Sequence, residues 1–333
     1  MNFSIIICTY NGQNRLNQTL EGISNLIVPE SSKLELLLID NASSDQTGQF
    51  CLEYWKTNPL PFNYRLILEP RPGLLNARIA GIKQAEFPWI VFCDDDNTLF
   101  PDYLVRAKNL IEQFPEIGAL GGQGIAQIEG PIPSWFNKHQ SSFAVGPQAG
   151  SNGELARGRY LYGAGLIVKK SYLDSLVQQQ IYFLTEGRKS EALTQGEDLE
   201  ICYWISLLDG KLYYNQELKF YHRIEAHRLN ETYLNNLKLA YNATEGLLHP
   251  YHYLLKHPNP SAFGFEISQF RVMGISLLLM AKYAIMTKID STLENSLKVN
   301  SVRFYSFFNS RKKSKQQFNV LQKMLLELRL GRV

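Results

Sequence analysis

The sequence predicts an α/β protein: a mixed, mostly parallel sheet with helices on both faces, followed by a helical carboxyl-terminal extension. Strand-like and helix-like stretches alternate through the first hundred residues, the pattern of parallel strands joined by crossover helices. Polar clusters close three separate strand-like runs, and ligands gather at such strand ends in open sheets. Beyond about Ala226 the texture becomes helical, so two parts are expected, residues 1–225 and 226–333.

Phe3–Thr9 reads as a buried strand, and residues 14–25 as a helix with Leu16, Leu20 and Ile23 on one face. Leu34–Asp40 is a second strand, and the polar turn after it caps a helix running to about Lys56. Residues 64–69 give a third strand, 74–85 a third helix and 89–93 a fourth strand. The Gly- and Pro-rich stretch 118–160 suggests irregular connections with short strands, and 160–169 a further strand. Residues 185–195 are polar and loop-like, and Gly196-Glu197-Asp198 opens a helix ended by Asp209-Gly210. A hairpin-like stretch over 211–221 leads to His222.

In the extension, residues 233–246 look helical, and Pro250, Pro258 and Pro260 are expected to break the next stretch. Residues 265–288 form a long apolar helix whose uncharged centre, 272–281, lies between Arg271 and Lys282. That centre is too short for a bilayer, so a buried or interfacial helix is expected. The last helix places Phe318, Leu321, Leu325 and Leu328 on one stripe. Such a stripe suits packing on the first part of the chain or docking at a membrane surface.

Composition narrows the function classes. Hydrophobic content of 45% and charged content of 20% describe an ordinary globular protein. A net charge of +3 gives no argument for nucleic acid. From Lys298 onward nine basic residues face the single acid Glu327, so peripheral contact of this basic region with a phosphate-rich partner or an anionic membrane is open. Cys8, Cys51, Cys93 and Cys202 show no paired spacing, which favours a reducing compartment. The amino terminus enters an apolar strand at once with no signal-peptide pattern, and a cytoplasmic location is expected.

The densest chemistry is Asp94-Asp95-Asp96 after the apolar run 89–93. Carboxylates suit a hard divalent cation, Mg²⁺ or Mn²⁺, which can in turn hold a diphosphate. Alternation along an extended chain would put Asp94 and Asp96 on one side. Thr9-Tyr10-Asn11 and Asp40-Asn41 close the first and second strands, so three clusters converge on one crevice.

These pieces resemble the family-2 glycosyltransferases of GT-A fold, with a Rossmann-like sheet, across roughly residues 3 to 225. The matching segments are Ile-Ile-Ile-Cys-Thr-Tyr-Asn-Gly at 5–12, Leu-Ile-Asp-Asn-Ala-Ser-Ser-Asp at 38–45 and Gly-Leu-Leu-Asn-Ala-Arg at 73–78. Asp-Asp-Asp-Asn at 94–97, Gly-Glu-Asp-Leu-Glu at 196–200 and Tyr-His-Arg at 221–223 complete the set in the family's order. The resemblance implies that Thr9, Tyr10 and Asp40 surround the base and ribose of a nucleotide-sugar donor. Asp40-Asn41 also suits a turn with a helix cap. Arg78 corresponds to a donor-binding arginine, or forms an ion pair. Asp94 and Asp95 fall on the donor side, with Asp96 as metal ligand. His222 corresponds to a histidine that completes the metal site, although a lone histidine is equally at home as a structural residue.

Asp198 corresponds to the general base of an inverting transfer, and its place at a helix start is also one that any acidic residue favours. Glu197 is expected to orient the acceptor. Trp135 offers an indole face to an acceptor sugar or to the core. The resulting expectation is an inverting, metal-dependent hexosyltransferase of surface-polysaccharide assembly. It would use a UDP-sugar and an acceptor that is a saccharide or a lipid-linked saccharide. A sugar-nucleotide nucleotidyltransferase shares the sheet, but its glycine-rich basic loop is absent after the first strand. A dehydrogenase lacks its Gly-x-Gly-x-x-Gly there. A non-catalytic saccharide-binding scaffold is the remaining alternative.

Overall fold

The structure, a computed structural model, describes residues 1–178, 196–290 and 293–329. The expected loop at 185–195 lies outside the described residues. The first hundred residues give β1 (Phe3–Thr9), α1 (Leu16–Ser24), β2 (Leu34–Asp40), α2 (Thr47–Thr57), β3 (Asn63–Leu68), α3 (Leu74–Gln84), β4 (Trp89–Asp94) and β5 (Asn97–Leu99). Then come α4 (Tyr103–Gln113), β6 (Ile117–Ile128), the short α5 (Phe136–His139), β7 (Gly153–Glu154), β8 (Ile167–Lys169) and α6 (Lys170–Gln178). After residue 195 the chain forms α7 (Glu197–Leu207), β9 (Lys211–Ile224), α8 (Glu231–Lys256), α9 (Ala262–Met286) and α10 (Glu294–Arg329).

The sheet runs β3-β2-β1-β4-β8-β6-β9-β5, with β7 against β9. β3, β2, β1 and β4 are parallel, and β8 runs antiparallel to both β4 and β6. Strand alternation feeds two cores. Ile6, Leu37, Ile39, Ile90 and Phe92 meet α3 and α7 on one face, whereas Ile5, Ile7, Leu36, Leu38 and Val91 meet α1, α2 and α4 on the other. Each such side chain removed from water contributes about 1.5–3 kcal/mol, which holds the strand ends in fixed register beneath the site.

Four expectations are corrected. The stretch expected to be irregular contains the twelve-residue β6; its glycines hide the strand, and a side chain at Gly122 would collide with the Leu218 carbonyl of β9. Only Ile167–Lys169 of the expected 160–169 strand is extended. Residues 211–224 form a single strand rather than a hairpin, with an irregularity between the positions paired to Gly121 and Gln123. Pro250 sits inside the 26-residue α8. A proline within a helix costs about 3 kcal/mol, and burial of Leu248, Tyr251 and Leu254 outweighs it.

The carboxyl-terminal helices share the core of the sheet region. Phe318, Leu321 and Leu325 of α10 are buried with Tyr251 and Leu254 of α8 and Ile201 and Trp204 of α7. The apolar stripe of the last helix is therefore packed inward through Leu325; the Leu328 side chain lies outside the described residues.

Candidate active site

The carboxyl ends of β1, β2 and β4 open on a cleft of about 630 Å³. At the end of β1, Thr9 is buried and its hydroxyl donates to Asp95 Oδ2 at 2.6 Å. Tyr10 stands exposed on the cleft wall. Asn11 comes next with φ 49°, a left-handed conformation that asparagine tolerates. At the end of β2, Asn41 accepts from the Gly73 N–H at 2.7 Å and donates to the Glu69 and Arg71 carbonyls. This buried amide ties β2 to the start of α3 and so positions Arg78 one turn on.

Asp94, Asp95 and Asp96 all line the cleft. The chain turns at Asp95–Asp96, so the extended alternation expected to align Asp94 with Asp96 does not apply. The Asp95 carboxylate is engaged by Thr9 and, at 2.8 Å, by Arg15. Burial pushes its pKa up, and the Arg15 guanidinium opposes that rise. Asp96 Oδ2 lies 3.4 Å from His222 Nε2 and 3.3 Å from Arg228 Nη1. Pairing of β5 with β9 sets Asn97 opposite His222, which is how residues far apart in sequence meet.

Arg78, on α3, is only 4% exposed. Its guanidinium lies 3.8 Å from Asp94 and 3.5 Å from Glu197, over the Phe92 ring. Burial disfavours its charge, and Glu197, Asp94 and Asp198 together outweigh that and raise its pKa. Gly196 precedes α7 at φ 133°, a backbone region that side chains rarely adopt, and delivers Glu197 and Asp198 to the cleft.

Asp198 Oδ2 accepts from the Gly163 N–H at 3.1 Å and Oδ1 from the Leu199 N–H at 3.0 Å. Burial and the neighbouring Glu197 push its pKa up to about 6, against the lowering effect of Arg78 and the two amides. A carboxylate titrating there is largely ionised at neutral pH yet basic enough to accept a proton.

Two expected site residues stand back from the cleft. The Asp40 carboxylate is buried and accepts from the Ser43 N–H at 3.2 Å; its neighbours Asn41 and Ala42 form the wall. Trp135 is corrected to a packing residue. Its ring lies 6.2 Å from Phe143 and 6.3 Å from Phe136, because the cluster of Phe136, Phe143, Leu234 and Leu237 needs its apolar area. Arg15 and Arg228 are cleft cations that the sequence does not announce. Neither belongs to a recognisable motif, and only the fold brings them to the acidic turn. Tyr160, Tyr162 and, from α8, Lys238, Tyr241 and Asn242 complete the wall on the Asp198 side.

Asp96 and His222 fit an open divalent site. Two donors bound at about 2.1 Å to one cation stand roughly 3.0–3.4 Å apart, which matches their separation. Among the described residues there is no cluster of three or more His, Cys, Asp or Glu that could hold a metal by itself. A metal here would complete its shell with substrate oxygens and water, as Mg²⁺ commonly does.

A mostly parallel sheet with its acidic turn, buried arginine and helix-borne carboxylate around one cleft has the architecture of the GT-A class. Residues 4–166, just under half of the chain, match the family described as Glycosyl transferase family 2. The glucosyl-dolichyl phosphate glucuronosyltransferase of Haloferax volcanii is 19% identical over 229 residues, 68% of this chain and 71% of that one. The poly-beta-1,6-N-acetyl-D-glucosamine synthase of Staphylococcus epidermidis is 29% identical over 119 residues, 36% of this chain and 27% of the relative. Among solved structures, S. aureus TarS 1-349 matches with a TM-score of 0.52 at 16% identity, covering 99% of this chain and 92% of that one. A mannosyltransferase from Pyrobaculum calidifontis, solved with GDP-Man and Mn2+, matches with a TM-score of 0.53 at 14% identity, covering 92% and 86%.

Proposed function

We propose that the protein is an inverting glycosyltransferase that moves a hexose-type unit from a nucleoside-diphosphate sugar to a saccharide or lipid-linked hydroxyl. The observation that carries this reading is the placement of Asp198, with a pKa near 6, in the cleft that also holds the acidic turn. Thr9, Tyr10 and the β2 turn built on Asp40 and Asn41 form the base and ribose end. Arg78 and Asp94 define the wall between the donor and Asp198. Asp95 is an orienting group, held by Thr9 and Arg15.

The Asp198 carboxylate takes the proton from the acceptor hydroxyl as that oxygen bonds to the anomeric carbon. The bond from that carbon to the diphosphate oxygen breaks on the opposite face, which inverts the configuration. Glu197, locked on Arg78, sets the orientation of the acceptor. Arg15 and Arg228 supply fixed positive charge at the leaving-group end. Asp96 and His222 would hold a divalent metal, Mn²⁺ or Mg²⁺, which when bound neutralises charge on the departing diphosphate.

Relatives named for dolichyl phosphate, poly(ribitol-phosphate) and a glucosamine polymer support an acceptor in surface-glycan assembly. The four free thiols, three of them buried, suit a reducing, cytoplasmic setting. UDP-sugars are the first donors to test. A panel of UDP- and GDP-sugars, assayed for transfer or hydrolysis with Mn²⁺ or with EDTA, should give Mn²⁺-dependent release of one nucleoside diphosphate. Release of inorganic pyrophosphate from a sugar phosphate and a nucleoside triphosphate would instead make it a nucleotidyltransferase.

A further inference from the structure

The second feature of the molecule is α9, an apolar helix that turns large hydrophobic side chains outward while burying two polar ones. The residues it turns inward toward α10 include Gln269 and Ser276, 1% and 0% exposed, together with Phe265. Both polar atoms of Gln269, the Ser276 hydroxyl and, on α10, the Ser314 hydroxyl are buried with no hydrogen-bond partner. The opposite face is apolar over the whole helix: Phe263, Ile267, Phe270, Leu278 and Ile285 are half or more exposed. At 100° per residue these five fall within one broad sector, directly across from Phe265, Gln269 and Ser276.

Water favours the opposite arrangement, whereas hydrocarbon favours this one: helices packed through small and polar residues, with apolar side chains turned outward. α9 is the one helix among the described residues long and apolar enough to cross a membrane, at about 37 Å. Yet Arg271 and Lys282 lie along a single edge of the apolar face and interrupt any span, leaving ten uncharged residues between them. A helix with such an edge rests in the headgroup plane, its cations reaching lipid phosphates.

Charge selects the occupant. Between Ile267 and Ile289 the chain carries Arg271, Lys282 and Lys288 and no acid, and none of the three has an ion-pair partner among the described residues. The nearest helix acid, Glu266, is engaged by Lys315. Arg311, over the Phe270 ring, adds a cation at the opposite border of the apolar face. Two copies joined through this face about a twofold axis would bring like charges together; anionic lipid would neutralise them.

We propose that α9 is the element that seats this protein on an anionic membrane surface, with its outward apolar face in the headgroup–acyl boundary. This relocates the lipid contact from the basic tail. There Arg303 and Lys315 are engaged by Glu245 and Glu266, and the apolar stripe of α10 is buried through Leu325. Seating on lipid is independent of the transfer reaction, since its test reads binding alone.

The test is flotation of the full chain with vesicles of phosphatidylcholine alone or with about one-third phosphatidylglycerol. The expected result is recovery with the phosphatidylglycerol vesicles and at least about tenfold less with phosphatidylcholine. The variant Ile267→Ser/Leu278→Ser/Ile285→Ser changes only exposed positions and should stay folded by circular dichroism while losing flotation. Arg271→Glu/Lys282→Glu should abolish the preference for phosphatidylglycerol. Absence of flotation, or flotation that survives the triple substitution, would overturn the proposal. So would light scattering that shows a dimer dissolved by the triple substitution, because the face would then be covered by a second copy.

Discussion

Replacing Asp198 by Asn separates the chemical role of this residue from its place in the fold. Raising the carboxyl from 3.8 to about 6 corresponds to about 3 kcal/mol spent on keeping it ionised at neutral pH. The native state holds its proton more tightly than the unfolded chain, so this term lowers stability as pH rises from about 4 to about 6. Asn removes that penalty but offers one acceptor oxygen to the two amides of Gly163 and Leu199, a loss of about 1–3 kcal/mol. The variant should therefore unfold within about 2 kcal/mol of wild type, while turnover falls by about 10²–10⁴-fold.

Steady-state rates with a saturating donor, urea unfolding at pH 7 and calorimetric nucleotide affinity would be measured together. Nucleotide affinity should be nearly unchanged. For the wild type, kcat/KM should rise tenfold per pH unit up to about 6 and then level, leaving roughly a tenth of the plateau at pH 5. An Asn variant that keeps more than about a tenth of turnover, or a flat profile between pH 5 and 7, would refute the base assignment.

Arg78→Ala leaves the buried Glu197 carboxylate without its cation and should destabilise by about 3–5 kcal/mol in urea unfolding; a loss below about 1 kcal/mol would show that the pair is not structural. Arg228→Gln removes a cation 3.3 Å from Asp96. It should raise the donor KM about tenfold or more with a smaller change in stability, and an unchanged KM would remove Arg228 from the leaving-group end. Gly163→Ala would place a methyl carbon 2.8 Å from Arg78 Nη2 and 3.3 Å from Asp198 Cβ. With Arg78 fixed by two carboxylates, kcat should fall by about tenfold or more at a stability cost of about 1–3 kcal/mol, read by rate and thermal unfolding.

The sheet region was legible because its signals are local. Apolar runs such as Phe3–Thr9 and Leu34–Asp40 coincide with strands residue for residue. Asp94, Asp96, Asp198 and His222 come together as anticipated, since each closes or opens an element whose type the sequence encodes. What was hidden depends on contacts between distant segments. β6 is disguised by glycines that only the approach of β9 explains. Pro250 continues a helix because of burial that no local pattern reveals. Arg15 and Arg228 carry no motif, and their function comes from the carboxylates that face them. Trp135 went the other way: its aromatic face found partners in Phe136 and Phe143. The exposure of the apolar outer face of α9 was invisible for the same reason, because a long apolar helix reads alike whether that face meets protein, water or lipid.

The central claim is that one cleft holds the nucleotide between the acidic turn and Asp198. Diffraction from crystals grown with UDP and Mn²⁺, collected for anomalous signal, tests it most directly. The expected result is a manganese peak beside Asp96 and His222, the uracil by Tyr10, and Asp198 facing the open side of the same cleft. Nucleotide bound elsewhere, or Asp198 on the far side of the sheet from it, would contradict the account.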